Sequence, residues 1–243
     1  MKAVILAAGY ATRLYPLTIN KTKALLDIAG KPIIEQVIQK IPKGITDICI
    51  ITNSKFKKDF DEWLKNFSCG RNLRLIDDGS ADNSNRLGSI GDLDFAVKNL
   101  GMDDLLVIAS DNLFDFKIDK ALEFFKAINQ DTLGVYDTQN KEEARKLGVV
   151  ELQGDNEIKW FYEKPAEPKS PLVSTGIYFF TKDSVSLVEE YINETHSREG
   201  PGLFIEWLLR KKKVYGFPLK GRWYDIGSIE SYKKAREEWA RKS

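Results

Sequence analysis

The sequence contains little cysteine and histidine, and it has no excess of charge of either sign. Its 243 residues include one histidine, His196, and two cysteines, Cys49 and Cys69, which are too few for an ordinary Cys/His zinc site. With 37 basic and 36 acidic side chains, it lacks the strongly basic balance that is typical of nucleic-acid-binding proteins. We therefore expect neither a zinc site of this kind nor a nucleic-acid partner.

Long apolar segments are also missing. No run approaches the roughly 20 apolar residues of a membrane-spanning helix. The apolar stretch at the N-terminus is short, and Gly9-Tyr-Ala-Thr-Arg13 follows it without the cleavage pattern of a signal peptide. We interpret residues 2–7 as a buried first strand. With so few cysteines, we expect a reduced, cytoplasmic protein without a membrane partner.

Apolar runs alternate with amphipathic stretches in the first part of the chain. The apolar runs predict strands at Ala3–Leu6, Ile48–Thr52, Leu73–Ile76, Leu105–Ala109 and Leu133–Tyr136. Helical periodicity predicts helices at Ile33–Lys40, Phe56–Phe67, Ile90–Leu100 and Ile118–Ile128. Buried strands separated by helices indicate βαβ units, and hence an α/β, Rossmann-like, mostly parallel sheet with helices on both faces.

After residue 145 the pattern predicts a mixed extension of this sheet. Val149–Leu152 and Ile158–Tyr162 flank a Gly-Asp-Asn turn and predict a hairpin, and Val173–Phe180 predicts a further strand. Helices are predicted at Asp183–Asn193, Leu203–Lys211 and Ser228–Arg241, the last capped by Ser228. Because no linker, repeat or shift in composition interrupts the chain, we predict a single domain, 1–243, with lobes at 1–145 and 146–243.

The segment after the first strand has the composition of a phosphate-binding loop. Open parallel sheets bind ligands beyond the carboxyl ends of their strands, near the point where the strand order reverses. Small residues within Ala8–Ala11 would let backbone N–H groups approach an anion, and Arg13, Lys21 and Lys23 add positive charge. The segment matches neither the Walker A pattern nor G-x-G-x-x-G.

This segment resembles the L-A-A-G-x-G-T-R-L-x-P-L-T…P-K-x-L motif of the sugar-1-phosphate nucleotidyltransferases. Arg13 and Lys23 match it, whereas Ala11 stands at the usual second glycine and Thr22 at the usual proline. Five later segments resemble motifs of this family in the same order: Leu87-Gly-Ser-Ile-Gly91, Ser110-Asp-Asn-Leu113, Glu163-Lys-Pro165, Val173-Ser-Thr-Gly-Ile-Tyr178 and Trp223-Tyr-Asp-Ile-Gly-Ser228. Together the matches extend over residues 3–232.

The resemblance implies an enzyme of nucleotide-sugar biosynthesis that depends on magnesium. It would join a sugar 1-phosphate to a nucleoside triphosphate of the dTTP, UTP or CTP type and release pyrophosphate. Residues 1–145 would bind the nucleotide and residues 146–243 the sugar phosphate, and a homo-oligomer is compatible with the family. The implied residues are catalytic Arg13, Lys23 and Lys164; nucleotide-binding Leu6, Ala8, Gly9, Tyr10, Asp78 and Gly88; substrate-binding Asn112, Glu163, Lys164, Thr175 and Gly176; and magnesium-binding Asp111 and Asp225.

The chemistry accounts for this set of residue types. In-line attack on a phosphorus atom needs positioning and charge neutralisation more than a covalent nucleophile. Magnesium is commonly held by one or two carboxylates together with substrate phosphates. Each residue also has a structural alternative: Asp111 could cap a turn, Asp225 could pair with Arg222, and Lys164 could pair with the glutamate before it.

Two other functions remain open from the sequence. The same scaffold could transfer a cytidylyl group to a non-sugar acceptor such as phosphocholine or inositol phosphate. Alternatively, a non-catalytic member of the family could sense a nucleotide sugar, although such a protein would commonly have lost the basic and acidic residues that are present here. Asp78 and Asn83 are the side chains considered for base recognition, and the sequence does not choose between them.

Overall fold

The computed structural model describes residues 1–240, which form thirteen β-strands and nine α-helices. The strands are β1 (Lys2–Leu6), β2 (Asp27–Ile28), β3 (Lys31–Pro32), β4 (Asp47–Thr52), β5 (Asn72–Asp77), β6 (Leu105–Ala109), β7 (Asn112–Phe114), β8 (Thr132–Asp137), β9 (Gly148–Gln153), β10 (Glu157–Glu163), β11 (Leu172–Phe180), β12 (Tyr215–Pro218) and β13 (Trp223–Asp225). The helices are α1 (Ile33–Lys40), α2 (Lys57–Asn66), α3 (Ser89–Leu100), α4 (Asp119–Ile128), α5 (Lys141–Ala144), α6 (Lys182–Ser186), α7 (Val188–Thr195), α8 (Pro201–Leu208) and α9 (Ile229–Ala240).

Nine of these strands form one mixed sheet in the order β5-β4-β1-β6-β11-β8-β12-β10-β9. The strands β5, β4, β1 and β6 are parallel to one another, as the βαβ pattern predicts. Beyond them, β11 is antiparallel to both of its neighbours, and β9 and β10 form the predicted antiparallel hairpin. The predicted parallel sheet with a mixed C-terminal extension is therefore confirmed. The sheet takes strands from both predicted lobes, and their division at residue 145 stays a prediction.

The sheet buries both of its faces. Successive residues of β1 point to opposite sides, with Ala3 and Ile5 in one hydrophobic cluster and Val4 and Leu6 in the other. Apolar side chains of α1, α2, α4 and α9 belong to the first cluster, and those of α3, α7 and α8 belong to the second. This three-layer packing explains why β1 is a continuous apolar run, and it confirms the prediction of helices on both faces.

The strand order reverses between β1 and β6. From β1 the chain moves through β4 to the edge strand β5 and then returns to β6 on the other side of β1. Leu6 pairs with Ala109 at the carboxyl ends of the two strands, and the backbone N–H of Ser110 donates to the Leu6 carbonyl at 3.1 Å. The loops after β1 and β6 therefore diverge at one point, where open α/β sheets bind ligands.

The sequence patterns locate the long elements better than the short ones. The predicted helix Asp183–Asn193 is divided at Leu187 into α6 and α7, and the predicted helix Leu203–Lys211 ends at Leu208. The predicted end of the last helix, Arg241, lies outside the described residues. Ser228 does cap this helix, since its hydroxyl accepts a hydrogen bond from the Ser231 backbone N–H at 3.1 Å. Within residues 1–240, none of the helices combines the length and apolar character needed to cross a membrane.

Candidate active site

Hydrogen bonds to the carbonyls of Ala8 and Ala11 fix the backbone of the loop after β1. The Ala8 carbonyl accepts a hydrogen bond from the Asn53 amide at 2.7 Å, and the Ala11 carbonyl accepts one from the Thr18 hydroxyl at 2.8 Å. Between them Gly9 is exposed, with open space where a side chain would begin. Ala11 has φ 47°, a left-handed conformation that glycine adopts at little cost. The backbone thus keeps a glycine-like turn at the position where alanine replaces the family's glycine.

The loop after β5 lies beside this phosphate loop. The buried Tyr10 hydroxyl donates to the Ser80 carbonyl at 2.9 Å. In turn, the Ser80 backbone N–H and hydroxyl both donate to Asp78 Oδ1 at 2.7 Å. Asp78 is only 8% exposed, so its side chain lies inside this loop rather than on an open surface. Leu6 and Ala8 are buried as well, leaving Gly9 as the accessible member of the predicted nucleotide-binding loop.

Gly88 is the N-cap residue of α3, and its lack of a side chain has a structural cause. Its φ of +79° is left-handed, and a Cβ atom at this position would clash with the Arg198 carbonyl. That carbonyl accepts hydrogen bonds from the N–H groups of Ile90 at 2.9 Å and Gly91 at 3.3 Å, at the N-terminus of α3. The segment between α7 and α8 therefore packs directly on the predicted base loop.

The predicted metal-binding carboxylates come together from distant parts of the chain. Asp111 lies between β6 and β7, and Asp225 ends β13, which pairs with β7 in a two-stranded sheet. In this sheet Asp225 faces Asn112, and the Ile226 N–H donates to the Asp111 carbonyl at 2.9 Å. The Lys23 ammonium nitrogen lies 2.7 Å from Asp111 Oδ2. Two carboxylates and a lysine thus meet where β1 and β6 diverge.

The surroundings of Asp225 disfavour its ionised form. Burial, followed by the negative charge of Asp111, raises the pKa of Asp225 to about 6. The positive charges of Lys23, Arg13 and Lys164 act in the opposite direction and do not cancel the effect. Paired carboxylates that repel each other at the end of a cleft suit a divalent cation, which needs few protein ligands when substrate phosphates supply the others. Asp111 and Asp225 therefore fit the magnesium role that the sequence predicts for them.

Glu163 ends β10, and Lys164 follows it, close enough for its charge to act on Asp225. Lys164 has a left-handed backbone with φ 49°, and its N–H donates to the Leu147 carbonyl at 3.0 Å. Its ammonium group lies 3.2 Å from the Glu163 carboxylate, the ion pair that the sequence offers as an alternative. The Glu163 N–H donates to Glu206 Oε1 at 2.6 Å, which fixes the turn to α8. An exposed lysine on a fixed turn can reach a ligand above it.

Two of the predicted substrate-binding side chains face the protein interior. The Asn112 amide oxygen accepts a hydrogen bond from the Trp223 indole N–H at 2.6 Å. The Thr175 hydroxyl donates to the Gly134 carbonyl at 3.0 Å, and the side chain is 1% exposed. Gly176 lies beside Asn112 with φ +72°, and a Cβ atom there would be 2.7 Å from the Asn112 amide nitrogen. These residues shape the wall of the site through their backbone and packing.

A cleft of about 570 Å³ opens beside the carboxylates. Arg13 and Asp225 line it together with Lys146, and its volume is within the common range for small-molecule sites. Arg222 also lines the cleft but pairs with Asp115 at 2.8 Å, so the suggested Asp225–Arg222 ion pair is wrong. Arg13, Lys23, Lys164 and the two aspartates are thereby brought to one end of the sheet.

Sequence reasoning missed three contributors to this architecture. Trp223 orients Asn112, Ser80 connects the phosphate loop to Asp78, and Asp92 is a buried acid in the first turns of α3. Trp223 begins one of the motifs that resemble the family, and Asp92 has a signal of its own in the sequence. It lies four residues before Ala96, on the apolar face that buries Leu93, so an acidic residue interrupts a stripe that is otherwise hydrophobic.

Comparison with known proteins gives consistent matches over almost the whole chain. A family model described as "Nucleotidyl transferase" matches residues 2–242. Bifunctional protein GlmU of Methanocaldococcus jannaschii is 34% identical over 228 residues, which cover 93% of this chain and 51% of the relative. Mannose-1-phosphate guanyltransferase of Yarrowia lipolytica is 31% identical over 238 residues, which cover 96% of this chain and 62% of the relative. This chain thus spans about half the length of the first relative.

A solved structure shares the fold. The crystal structure of UDP-glucose pyrophosphorylase complexed with UDP-glucose superposes with a TM-score of 0.83. The match covers 100% of this chain and 99% of that chain, at 21% sequence identity. At this identity the superposition establishes the architecture alone, which agrees with the mixed sheet described above.

Proposed function

Because this chain belongs to the nucleotidyl transferase family, that of the sugar-phosphate nucleotidyltransferases, we propose that it joins a sugar 1-phosphate to a nucleoside triphosphate in a magnesium-dependent reaction. The products are a nucleoside diphosphate sugar and pyrophosphate. We propose a pyrimidine triphosphate, of the dTTP, UTP or CTP type, as the nucleotide. Because the product is a nucleoside diphosphate sugar, the reaction belongs to nucleotide-sugar biosynthesis.

One observation carries this proposal. Asp111 directly precedes β7, and Asp225 ends the paired strand β13, with the Lys23 ammonium 2.7 Å from Asp111, where the sheet's strand order reverses. Two carboxylates and a lysine at this edge match the needs of phosphoryl chemistry, in which charge neutralisation and alignment supply most of the catalysis. The charges of Arg13 and Lys164 reach the same cluster, since both act on the pKa of Asp225.

The proposed reaction follows from the charges of these side chains. A phosphate oxygen of the sugar 1-phosphate attacks the α-phosphorus, and the bond from that phosphorus to the oxygen bridging it to the β-phosphate breaks. The electron pair leaves with pyrophosphate. Arg13 and Lys23 stabilise negative charge on the triphosphate, and Lys164 orients the attacking phosphate. Asp111 and Asp225 would hold magnesium, which when bound neutralises charge on the phosphates.

The cleft beside the carboxylates supports a small phosphorylated acceptor. It has a volume of about 570 Å³, and Arg13 and Lys146 supply positive charge to its walls. Its remaining lining includes the hydroxyl and carboxylate groups of Ser228, Ser231 and Glu230, which can bond the hydroxyls of a sugar. The rings of Tyr136, Trp223 and Tyr224 also line the cleft, and aromatic rings can hold the trimethylammonium group of phosphocholine, so the lining alone does not choose between the two acceptors.

A grid of substrates tests the proposal. We would measure magnesium-dependent pyrophosphate release with GTP, ATP, UTP, dTTP and CTP against several sugar 1-phosphates, phosphocholine and inositol phosphate. Release with one triphosphate and one sugar phosphate is the expected result. Release with phosphocholine or inositol phosphate alone would replace the sugar by another acceptor. Nucleotide binding without release in any combination would refute catalysis and favour a sensing role.

An acidic-residue variant then tests the site itself. Asp111→Asn removes a charge while keeping the size of the side chain, and we expect turnover to fall by about 10²–10³-fold. Asp94→Asn is a matched control, since Asp94 pairs with Lys98 on α3 outside the cluster. Near-normal turnover by the Asp111 variant, or an equal loss in the control, would remove Asp111 from the proposed metal site.

A further inference from the structure

Two buried carboxyl groups lie next to the predicted base loop, Leu87–Gly91. Asp78 follows β5 and is 8% exposed, whereas Asp92 lies in the first turns of α3 and is 5% exposed. Within the described residues, neither Asp78 Oδ2 nor Asp92 Oδ1 has a hydrogen-bond partner. The other oxygen of Asp78 is fully engaged, because it accepts two hydrogen bonds from Ser80. Buried polar atoms without partners are rare and call for a physical explanation.

A single proton accounts for both unpartnered oxygens. The two carboxyl groups are in side-chain hydrogen-bonding contact, and two ionised carboxylates cannot donate to each other. Burial, followed by the charge of Asp78, raises the pKa of Asp92 to about 8. The nearby Arg86 is engaged by Glu199 at 2.8 Å, so it does not compensate a second negative charge here. A neutral Asp92 that donates to an ionised Asp78 satisfies both groups.

The pair connects two parts of the proposed nucleotide site. Asp78 is linked through Ser80 to the Tyr10 hydroxyl, and so to the phosphate loop. Asp92 belongs to α3, and its N–H donates to the Gly88 carbonyl in the base loop at 2.7 Å. A hydrogen bond between the two acids therefore closes a chain of contacts from the phosphate loop to the base loop.

We propose that Asp92 is protonated in the folded protein and donates a hydrogen bond to Asp78 that holds the base loop against the loop after β5, so that loss of this proton weakens nucleoside triphosphate binding. Asp92 is in this view a positioning residue, since it acts through the backbone of the base loop. The inference rests on the proposed function, because it takes residues 87–91 to face the nucleotide. It adds to that function a proton on Asp92. When this proton is lost, the carboxylates of Asp78 and Asp92 repel each other, and with them the two loops.

The surroundings of the pair set the direction of the pH effect. The charged or titratable groups around it are Tyr10 from the phosphate loop, on which Asp77 at the end of β5 and Asp82 in the following loop also act, Arg86 before α3, and Arg198 and Glu199 from the segment before α8. Glu199 acts in the same direction as Asp78 and favours the neutral form of Asp92. Asp92 therefore loses its proton as the pH rises through about 8, and the pair then carries two negative charges.

The first test counts this proton and needs no catalytic activity. Between about pH 4 and pH 8 the folded chain should bind one more proton at Asp92 than the unfolded chain, so the stability linked to this group falls as the pH rises. Urea unfolding gives the free energy of unfolding at each pH, and its slope against pH gives the number of excess protons bound by the folded chain. This number should be smaller by one in Asp92→Asn than in the wild type. Asp94→Asn on the same helix should keep the wild-type excess. Equal proton counts in the wild type and Asp92→Asn would overturn the proposal.

The second test measures binding of UTP, dTTP, CTP and GTP by calorimetry at about pH 7 and pH 9. We expect the wild type to lose about tenfold more affinity than Asp92→Asn over this interval, which corresponds to the loss of one hydrogen bond to a charged group. The asparagine variant keeps a donor that does not titrate, so it should bind as tightly as the wild type at the lower pH. Asp92→Ala should bind weakly at both. Tight binding by the alanine variant, or equal pH profiles, would refute the positioning role.

The two tests separate this inference from the proposed function. If none of the triphosphates binds, the proposed function fails, and the positioning role fails with it. The proton count then still decides whether the acid pair shares a proton. If Asp92→Asn does not fold, Asp78→Asn decides, because the removal of its charge should lower the pKa of Asp92, so that the excess proton is lost at a lower pH than in the wild type. Loss of the excess proton at the wild-type pH in the Asp78 variant would overturn the acid pair.

Discussion

Asp225→Asn is expected to stabilise the protein while it abolishes nucleotidyl transfer. The carboxyl group is partly buried beside Asp111, and this burial, followed by the charge of Asp111, raises its pKa from 3.8 to about 6. At neutral pH the folded chain therefore holds an ionised group in surroundings that favour its neutral form. An asparagine of nearly the same size removes the charge without leaving a cavity. It also removes a carboxylate that the proposed reaction requires.

The magnitude and its pH window follow from linkage. Because the folded-state pKa of Asp225 is raised, the stability linked to its proton is fully present below about pH 4 and is lost as the pH rises to about 6. At about 1.4 kcal/mol per pKa unit, the rise from 3.8 to about 6 means that the ionised group costs on the order of 3 kcal/mol at neutral pH. We expect Asp225→Asn to recover about this free energy of unfolding at pH 7, and little of it near pH 4.

Urea unfolding in the presence of a chelator measures this effect. Asp115→Asn is a control of opposite sign: burial acts to raise the pKa of Asp115, but the hydrogen bonds and charge of Arg222 hold it below its usual value. The stability linked to Asp115 is present above its unfolded pKa, so this control should be less stable than the wild type at neutral pH. A destabilised Asp225→Asn at pH 7, or an equal gain at pH 4 and pH 7, would refute the reasoning.

Three further substitutions test the walls of the site. Lys164→Ala should raise KM for the sugar phosphate while KM for the triphosphate changes little, and an unchanged KM for the sugar phosphate would contradict its role. Gly176→Ala should lower both stability and turnover, because its Cβ would displace the adjacent buried amide. Gly70→Ala has a similar φ of +68° with open space around it, so it should cost only about 1 kcal/mol and leave turnover intact. Ala11→Gly should raise the free energy of unfolding by about 0.5–1 kcal/mol, measured in urea, and a loss of stability would contradict the strained turn.

The parallel half of the sheet could be predicted because its signals are local. The strands β1 and β6 are buried on both faces and therefore appear as continuous apolar runs, which the sequence displays without any knowledge of their neighbours. The helix α1 has apolar side chains at helical spacing, and its predicted bounds agree with the structure. Where burial alone decides a conformation, composition along a short window is sufficient.

The pairing of β7 with β13 could not be predicted in this way. Each strand has three residues, and Trp223 lies 111 positions from the Asn112 side chain that it holds. The motif resemblance indicated that Asn112 and Thr175 belong to the site, but it did not indicate that their side chains turn inward. Orientation of this kind depends on register between distant segments, which no local pattern encodes.

Backbone and electrostatic costs concentrate at the carboxyl edge of the sheet. Ala11 and Lys164 are left-handed without being glycines, and burial raises the pKa of both Asp225 and Asp92. Such features persist only where the surrounding structure enforces them, and they cluster where a ligand repays the cost. The strand β1 holds the edge in place, because its alternate side chains are buried in two separate hydrophobic clusters. The regular, buried strands therefore tolerate strained backbone and disfavoured charges at the carboxyl edge of the sheet. Substitutions that remove this strain or charge should raise the free energy of unfolding and lower turnover.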